Sequence, residues 1–540
     1  MAISFPVPVV AAVLVAVGLL NAPSASGQDH DHPPPSAVLG EVDFPVSCTP
    51  AAQQKFNTVA SLLYSFYWEK IDAAIAEVLA ADPTCAMAHW AKAVASLDNA
   101  LGSPPTPKQE QQGWLAVERA KRMGGKTPRE RDYIAAVEIV FKDHATVPFA
   151  TRAAAYGKAL EQLHLRYPDD PEAAIFHAQW LQVTADRNDQ TYAQQLRSAK
   201  ILEQLLPAQP NHPGIAHFII HAYDFPAIAD RGLDAARRYA AIAPDSPHAL
   251  HMPSHIFSRT GQWRDSIGTN LRSHAASDAD RDAYHAMDYM VYAYLQLADD
   301  DQAHKWVDVV VNAAKPDHEA RQIAYAGAAV PARYALERGD WVAASRLALH
   351  PLRERFDWSK FPEGEAVNAY ARGLGAARGG DVGAARAELA RLDSLRAAMV
   401  AQKKDYWVSQ ADIQAGAISA WIARAEGRND DALALMRATA EREDRTEEHI
   451  MMPGRVIPVR EMLGELLLEL ERPVPALAAF EQSLQHDPNR FRNLHGAARA
   501  AELSGQQAKA RTYYQRLLAQ VEVDAARPEI VRARAYLAKR

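Results

Sequence analysis

This chain has little cysteine and no excess of positive charge. Only Cys48 and Cys85 occur among its 540 residues, and the formal net charge is −7. A negative balance gives no basic footprint for nucleic acid and disfavours anionic membrane surfaces as partners. No run of alternating apolar and β-branched residues predicts a sheet. The sequence therefore predicts an all-α fold.

Several motifs that mark common catalytic sites are also missing. There is no His-Glu-x-x-His motif, no Gly-x-Ser-x-Gly turn and no complete phosphate-binding loop ending in Gly-Lys-Ser/Thr. A hydrolytic site would then need a water activated by a metal ion. An oxidative copper or iron centre would need the same ligands and an open coordination position. Whether the protein is an enzyme stays open.

The segment 1–27 predicts a targeting signal. Phe5 to Leu20 is an apolar run that is too short for a comfortable membrane span, and small residues follow it. No Lys or Arg precedes Lys55, so a retained N-terminal anchor or a misassigned start stays open. We expect an exported protein, periplasmic or secreted, with a signal peptide over 1–27 and a mobile leader over 28–50.

The two cysteines predict a disulfide. In an oxidising compartment, a pair without other partners is most simply bonded to itself. A bond between Cys48 and Cys85 would tie the leading segment to the first helical repeat. A metal-binding pair of Cys85 and His89 is the alternative.

Histidines recur in the middle of the chain with a fixed period. The step from His217 to His251 equals the step from His221 to His255, and one more such step from His251 reaches His285. This step matches the length of a tetratricopeptide repeat, about 34 residues, which is a helix-turn-helix unit that stacks into a solenoid. The sequence therefore predicts a right-handed α-solenoid in which equivalent helices carry these histidines.

The repeat signal is clearest near the C-terminus. Ala476 and Phe480 fit tetratricopeptide positions, and the same step leads from them to Ala510 and Tyr514. We expect three helical regions, namely N-terminal repeats over 51–210, histidine-rich repeats over 211–300 and C-terminal repeats over 301–540.

Longer stretches resemble a group of bacterial tetratricopeptide-repeat proteins. The most distinctive are His-Pro-Gly-Ile-Ala-His-Phe-Ile-Ile-His-Ala-Tyr-Asp over 212–224 and His-Ala-Leu-His-Met-Pro-Ser-His-Ile-Phe over 248–257. Shorter matches lie at 44–48, 82–90, 127–133, 453–461 and 488–491. The resemblance covers nearly the whole mature chain. It implies the fold and the repeat architecture, and it implies no particular reaction.

The spacing of the histidines predicts a metal site. Residues four apart share one face of a helix, and equivalent helices of neighbouring repeats pack about 8–10 Å apart. We therefore expect a transition metal, either zinc, copper or iron, bound in the concave groove. The predicted ligands are His217, His221, His251, His255 and His285. One ion or two, and a structural stacking of the imidazoles instead, stay open.

Other residues are assigned weaker roles. Asp224, Asp288 and Tyr289 are candidates for proton transfer beside the metal. Arg455 and Arg460 could bind an anionic group, with structural ion pairs as the alternative.

The remaining histidines of this region, and the competing function, complete the expectations. His212, His248 and His274 are expected in loops or at the surface. The competing function is a scaffold without catalysis that binds a peptide or a protein in the groove, as repeat arrays commonly do.

Overall fold

A computed structural model describes residue 1 and residues 37–186, 189–277, 280–313, 316, 319–348, 356–522, 525 and 527–539. All regular secondary structure in these ranges is helical, without a strand. Neighbouring helices along the chain pack against each other throughout. The chain is an all-α, tetratricopeptide-like helical solenoid, and the predicted fold class is confirmed.

The N-terminal helices begin at sequence signals that are visible in advance. Thr127 caps its helix by accepting a hydrogen bond from the Glu130 amide, and the Glu130 side chain accepts one from the Thr127 amide. The helices of this region are α1 (Pro50–Tyr64), α2 (Trp68–Ala81), α3 (Ala86–Ala95), α4 (Pro107–Met123), α5 (Pro128–Phe141), α6 (Phe149–Arg166), α7 (Pro171–Val183) and α8 (Ala193–Leu205).

The histidine-rich helices follow. They are α9 (Pro213–Tyr223), α10 (Leu233–Ile242), α11 (Pro247–His251), α12 (Pro253–Arg259), α13 (Trp263–Ala276), α14 (Asp280–Gln296) and α15 (Asp300–Asn312). Met252 keeps right-handed helical torsions between α11 and α12. Because Pro253 has no amide hydrogen, it interrupts the hydrogen bonds of what is otherwise one helix. Gly261, with φ of +68°, makes the turn to α13.

The C-terminal helices include the close contact between a glycine and an aromatic ring that the repeat pattern predicts. They are α16 (Arg321–Glu337), α17 (Trp341–Ser345), α18 (Pro362–Arg378), α19 (Val382–Ala401), α20 (Asp405–Ala425), α21 (Asn429–Asp444), α22 (Val459–Glu469), α23 (Pro473–His486), α24 (Phe491–Leu503), α25 (Gln507–Gln520) and α26 (Pro528–Ala538). A Cβ added at Gly464 would lie 2.7 Å from Cζ of Phe480, so only glycine lets this ring pack there.

Two hydrophobic cores fill the described part of the chain. One runs from Leu39 to Phe257, and the other from Trp263 to Ala533. The histidine-rich helices stand where these cores meet, since α12 belongs to the first core and α14 to the second. A ligand held by both helices would therefore join the two halves.

The predicted disulfide is confirmed, with the Cα atoms of Cys48 and Cys85 5.2 Å apart. The prediction of a mobile leader over 28–50 is wrong for residues 38–50. Phe44 in this segment is fully buried, and its ring packs against those of Trp90 and Tyr133.

Apart from residue 1, the predicted signal peptide and the predicted leader up to residue 36 lie outside the described residues. Among the helices that are described, none is both long and apolar enough to cross a membrane.

A connection from the C-terminal repeats reaches back to the histidine-rich helices. We call residues 445–458, between α21 and α22, the covering segment. Arg259 of α12 donates to the carbonyl of Met452 at 3.2 Å, and Arg333 of α16 donates to the carbonyls of Gly454 and Arg455 at 2.8 and 3.0 Å. Since a buried guanidinium has five donors to satisfy, these bonds fix the segment in place.

Candidate metal centre

Six histidines gather into two groups of three. The first trio is His217, His221 and His248, and the second trio is His251, His255 and His285. Within each trio, one ring nitrogen per residue lies within 4.8 Å of the others. The trios are neighbours, because the ring centroids of His221 and His255 are 6.1 Å apart and those of His248 and His251 are 6.3 Å apart.

In the first trio, a backbone carbonyl fixes the proton of one imidazole. His217 Nδ1 lies 2.6 Å from the carbonyl oxygen of Tyr64, which can only accept. His217 therefore carries its proton on Nδ1, and Nε2 presents a lone pair. That Nε2 lies 3.1 Å from Nε2 of His248.

In the second trio, side-chain oxygens do the same for two imidazoles. His255 Nδ1 lies 2.8 Å from a carboxylate oxygen of Asp224, and His251 Nδ1 lies 2.7 Å from Oδ1 of Asn270. Asn270 donates its amide to the Ser266 carbonyl, which confirms that its Oδ1 faces the imidazole. Both histidines thus donate from Nδ1 and turn Nε2 lone pairs toward each other.

The distance between these lone pairs is what ligands of one ion require. His251 Nε2 and His255 Nε2 are 3.0 Å apart. Two nitrogens bound to one tetrahedral zinc at about 2.0–2.1 Å would be about 3.3 Å apart. Two facing lone pairs repel unless a proton or a cation lies between them. A carboxylate or carbonyl on the far nitrogen is also the usual support of a metal-bound histidine.

His221 is the least satisfied member of the cluster. Its side chain is buried, with 5% exposure, and neither ring nitrogen has a hydrogen-bond partner among the described residues. A buried polar group without a partner costs about 1–3 kcal/mol, so it calls for a ligand. His285 completes the second trio from α14, with its ring centroid 4.3 Å from that of His251.

Burial keeps the cluster uncharged. Desolvation lowers the pKa of His217 to about 3 and that of His251 to about 4. The pKa values of the other four imidazoles lie well below the ordinary value for the same reason, and repulsion between neighbouring histidines lowers them further. Neutral imidazoles are the form that binds metal ions.

The structure corrects the expected environment of the histidines. His217, His251 and His255 are between 0 and 3% exposed, so they do not line an open groove. The expectation of a loop or surface position is wrong for His248, whereas His212 does lie in the loop before α9, although it is not at the surface. His248 is half-buried on α11 inside the first trio, and His212 is 2% exposed and caps α9.

His274 lies on α13 and is half-buried rather than in a loop. Its ring packs edge-on against Trp306, with the centroids 4.9 Å apart.

The three candidates for proton transfer have different surroundings. Asp224 accepts from His255 and from Arg259 Nε at 3.0 Å, and burial raises its pKa to about 6 despite that guanidinium. The hydroxyl of Tyr289 is 3.3 Å from His255 Nδ1 and donates to the Met452 carbonyl at 3.2 Å. Asp288 instead accepts from Arg333 Nε at 2.9 Å. Asp224 and Tyr289 therefore contact His255 of the second trio, whereas Asp288 forms a buried ion pair with Arg333.

The two arginines proposed for an anion are balanced by carboxylates. Arg455 is buried, and Glu443, Glu448 and Asp487 each lie 3.8 Å from its guanidinium. Arg460 pairs with Asp444. With these charges already compensated, the alternative of structural ion pairs describes both arginines.

A cavity of about 90 Å³ opens beside His221. Its walls come from the N-terminal repeats, from α9 and the start of the loop after it, from Tyr406 of α20 and from the covering segment. One water needs roughly 10–15 Å³ on this measure, so the space suits a small molecule. A ligand in this cavity would thus lie beside His221 of the first trio.

Comparisons with known proteins add little to this geometry. No protein family matches the chain, and no curated protein does. Among solved structures, the chain is similar to the human IFIT1 dimer with PPP-AAAA, at 10% identity and a TM-score of 0.38, over 80% of this chain and 90% of that one. The same values hold for a monomeric IFIT1 mutant with Gppp-AAAA. The structure of Naa15/Naa10 bound to HypK-THB matches at 12% identity and a TM-score of 0.25, over 90% of this chain and 73% of that one. Similarity this weak carries no argument about function.

Proposed function

We propose that the protein binds two transition-metal ions, one in each histidine trio, as a dinuclear metalloenzyme centre. The observation that carries the proposal is the pair of Nε2 lone pairs of His251 and His255, 3.0 Å apart, each fixed by an oxygen acceptor on Nδ1. In the first trio, Nε2 of His217 lies 3.1 Å from Nε2 of His248, which is also close to the separation of two nitrogens bound to one ion. A bound cation removes the repulsion between the facing lone pairs of His251 and His255.

The donor set narrows the choice of metal. Each trio offers imidazole nitrogens, which suit zinc, copper, iron and nickel, whereas carboxylates suit magnesium, calcium and manganese. Copper forms the tightest complexes with such ligands among the divalent first-row metals. Three protein ligands leave a coordination position open, which is the pattern of catalytic rather than structural zinc sites. Zinc would make the protein a hydrolase, and copper or iron an oxidoreductase.

Counting the metal in matched variants tests the proposal. The untagged protein should contain, or take up on addition of zinc or copper, about two equivalents per chain by mass spectrometry, one per three-histidine site. The variants His217→Ala/His221→Ala and His251→Ala/His255→Ala should each retain about one, because each removes two ligands of one trio. Circular dichroism checks that the helices persist.

His177 provides the control for these variants. It is equally buried, and its ring nitrogens also lack a hydrogen-bond partner within the described ranges, yet it belongs to neither trio. His177→Ala should keep both ions. A wild-type protein that takes up no zinc, copper or iron would refute the proposal and favour the binding scaffold.

The two buried aspartates should differ in their effect on metal affinity. Asp224→Asn removes the carboxylate that orients His255, and we expect metal binding at the second trio to weaken by about 10–100-fold. Asp288→Asn changes an equally buried carboxylate that pairs with Arg333, and affinity should stay within a few-fold of wild type. Competition with a chromophoric chelator measures both. Equal losses in the two variants would assign Asp224 a purely structural role.

A further inference from the structure

The cavity beside His221 has walls of two kinds. Apolar side chains include Leu101, Val183, Phe225 and Ile450. Gln182, Gln195 and Glu447 of the lining each have a side-chain oxygen that accepts no hydrogen bond from a described residue, and both ring nitrogens of His221 also lack a partner. Oε1 of Glu448 lies 3.8 Å from Nε of Arg455, so its charge is already compensated. A ligand of this cavity must therefore combine an apolar body with hydrogen-bond donors.

Gln182 presents its amide oxygen because its amide nitrogen is engaged elsewhere. That nitrogen donates to Ser198 Oγ at 2.7 Å and to the carbonyl of Phe218 at 2.9 Å. Since a backbone carbonyl can only accept, the amide cannot be flipped without losing this bond. Oε1 of Gln182 then has no donor among the described residues, and neither has Oε1 of Gln195, which is 5% exposed.

Glu447 adds a carboxylate oxygen to this set. It belongs to the covering segment and is 8% exposed. Its Oε1 accepts from the hydroxyl of Tyr192 at 2.7 Å, whereas its Oε2 accepts from no described residue. A buried carboxylate oxygen is costly to leave without a donor, and a charged donor makes the strongest bond to it.

We propose that this cavity binds a small protonated amine with an apolar body. Its ammonium group donates to Oε2 of Glu447 and to the amide oxygens of Gln182 and Gln195, and its body packs against Phe225 and the aliphatic walls. An ammonium ion carries three donors and no acceptor, which matches three oxygens. Because His221 lines the same cavity, the amine is the substrate class of the metal centre, and only that last step depends on the proposed function.

Three benzene derivatives of similar size separate the effect of ligand charge on binding from the effect of ligand size. Binding of benzylamine, benzyl alcohol and benzoate to the full-length protein is measured by isothermal titration calorimetry at pH 7. We expect benzylamine to bind, benzyl alcohol to bind at least tenfold more weakly, and benzoate not to bind. Equal binding of the amine and the alcohol, or preference for benzoate, would overturn the proposal.

A matched pair of variants locates the binding. Glu447→Gln keeps the shape but removes the charge, and it should weaken benzylamine at least tenfold while leaving benzyl alcohol nearly unchanged. Glu203 forms the same kind of bond, accepting from the hydroxyl of Tyr223 at 2.7 Å, but lies outside the cavity, so Glu203→Gln should have no effect. Equal losses in the two variants would contradict the assignment of the cavity.

The test also distinguishes failure of the two proposals. Benzylamine binding by a protein that takes up no zinc, copper or iron would support the cavity and refute the metal centre. Metal binding without amine binding would do the reverse.

Discussion

The protein stripped of metal by a chelator is expected to unfold as the pH falls from 7 toward 4. Burial lowers the pKa of His217 to about 3 and that of His251 to about 4, from an ordinary value of 6.5. Above pH 6.5 these imidazoles are neutral in both the folded and the unfolded chain and do not affect stability. Below pH 6.5 these imidazoles take up protons in the unfolded chain but not in the folded chain. The free energy of unfolding therefore decreases as the pH falls.

The expected loss is large. Each of these two histidines destabilises the folded state by about 3–5 kcal/mol once the pH lies below its folded-state pKa. The remaining four members of the trios act in the same direction. A typical domain is stable by only about 5–15 kcal/mol. Acid should therefore unfold the metal-free protein before pH 4 is reached.

Far-UV circular dichroism against pH, with a chelator present, measures this transition. Between pH 7.5 and 5, the fall in the free energy of unfolding should be smaller in His217→Gln/His251→Gln than in wild type, because two proton-binding groups are gone. His304 is 55% exposed and provides the control, so His304→Gln should leave the fall unchanged. A metal-free protein with the same stability at both pH values would contradict the prediction.

The helices that carry the candidate site could be predicted from the sequence, because repeat spacing is a local property. The repeat step placed His217, His251 and His285 on equivalent helices, and the structure brings them into one cluster. The same step missed His248. That residue stands 31 positions after His217, so it breaks the period, although it lies one helical turn before His251. The three-residue spacing between His248 and His251, which places both on one face of a helix, would have identified it.

The supports of the site could not be predicted in this way. The carbonyl that orients His217 belongs to Tyr64, 153 residues earlier. Tyr289 donates to Met452, 163 residues later. Such contacts depend on how distant repeats meet, and helical periodicity contains no information about that. The burial of the histidines, which were expected along a groove, has the same origin.

Replacing Arg259 with alanine should produce the largest loss of stability among single substitutions at the contact between the histidine-rich helices and the covering segment. The guanidinium is 5% exposed and pairs with both Asp224 and Glu448. Removing it leaves the buried Asp224 without a cation and Glu448 with only the more distant Arg455, a change that costs about 3–5 kcal/mol. It also removes the bonds to the carbonyls of Met452 and Pro453.

Urea unfolding of Arg259→Ala, with exposed Arg272→Ala as the control, measures the loss. Arg259→Lys keeps the charge but cannot bridge the same acceptors, so it should fall between alanine and wild type. Hydrogen exchange should accelerate first in the covering segment, 445–458. A loss below about 1 kcal/mol, as for a surface ion pair, would mean that the segment is held by its apolar contacts alone.

The position of Arg259 extends this prediction to both proposed sites. Its carboxylate partner Asp224 orients His255, and the segment it holds supplies Glu447 to the cavity. Arg259→Ala should therefore weaken metal binding at the second trio and benzylamine binding together, whereas Asp224→Asn should weaken mainly the metal. Joint loss in the first variant and separate loss in the second would identify the buried arginine as the physical link between the two sites.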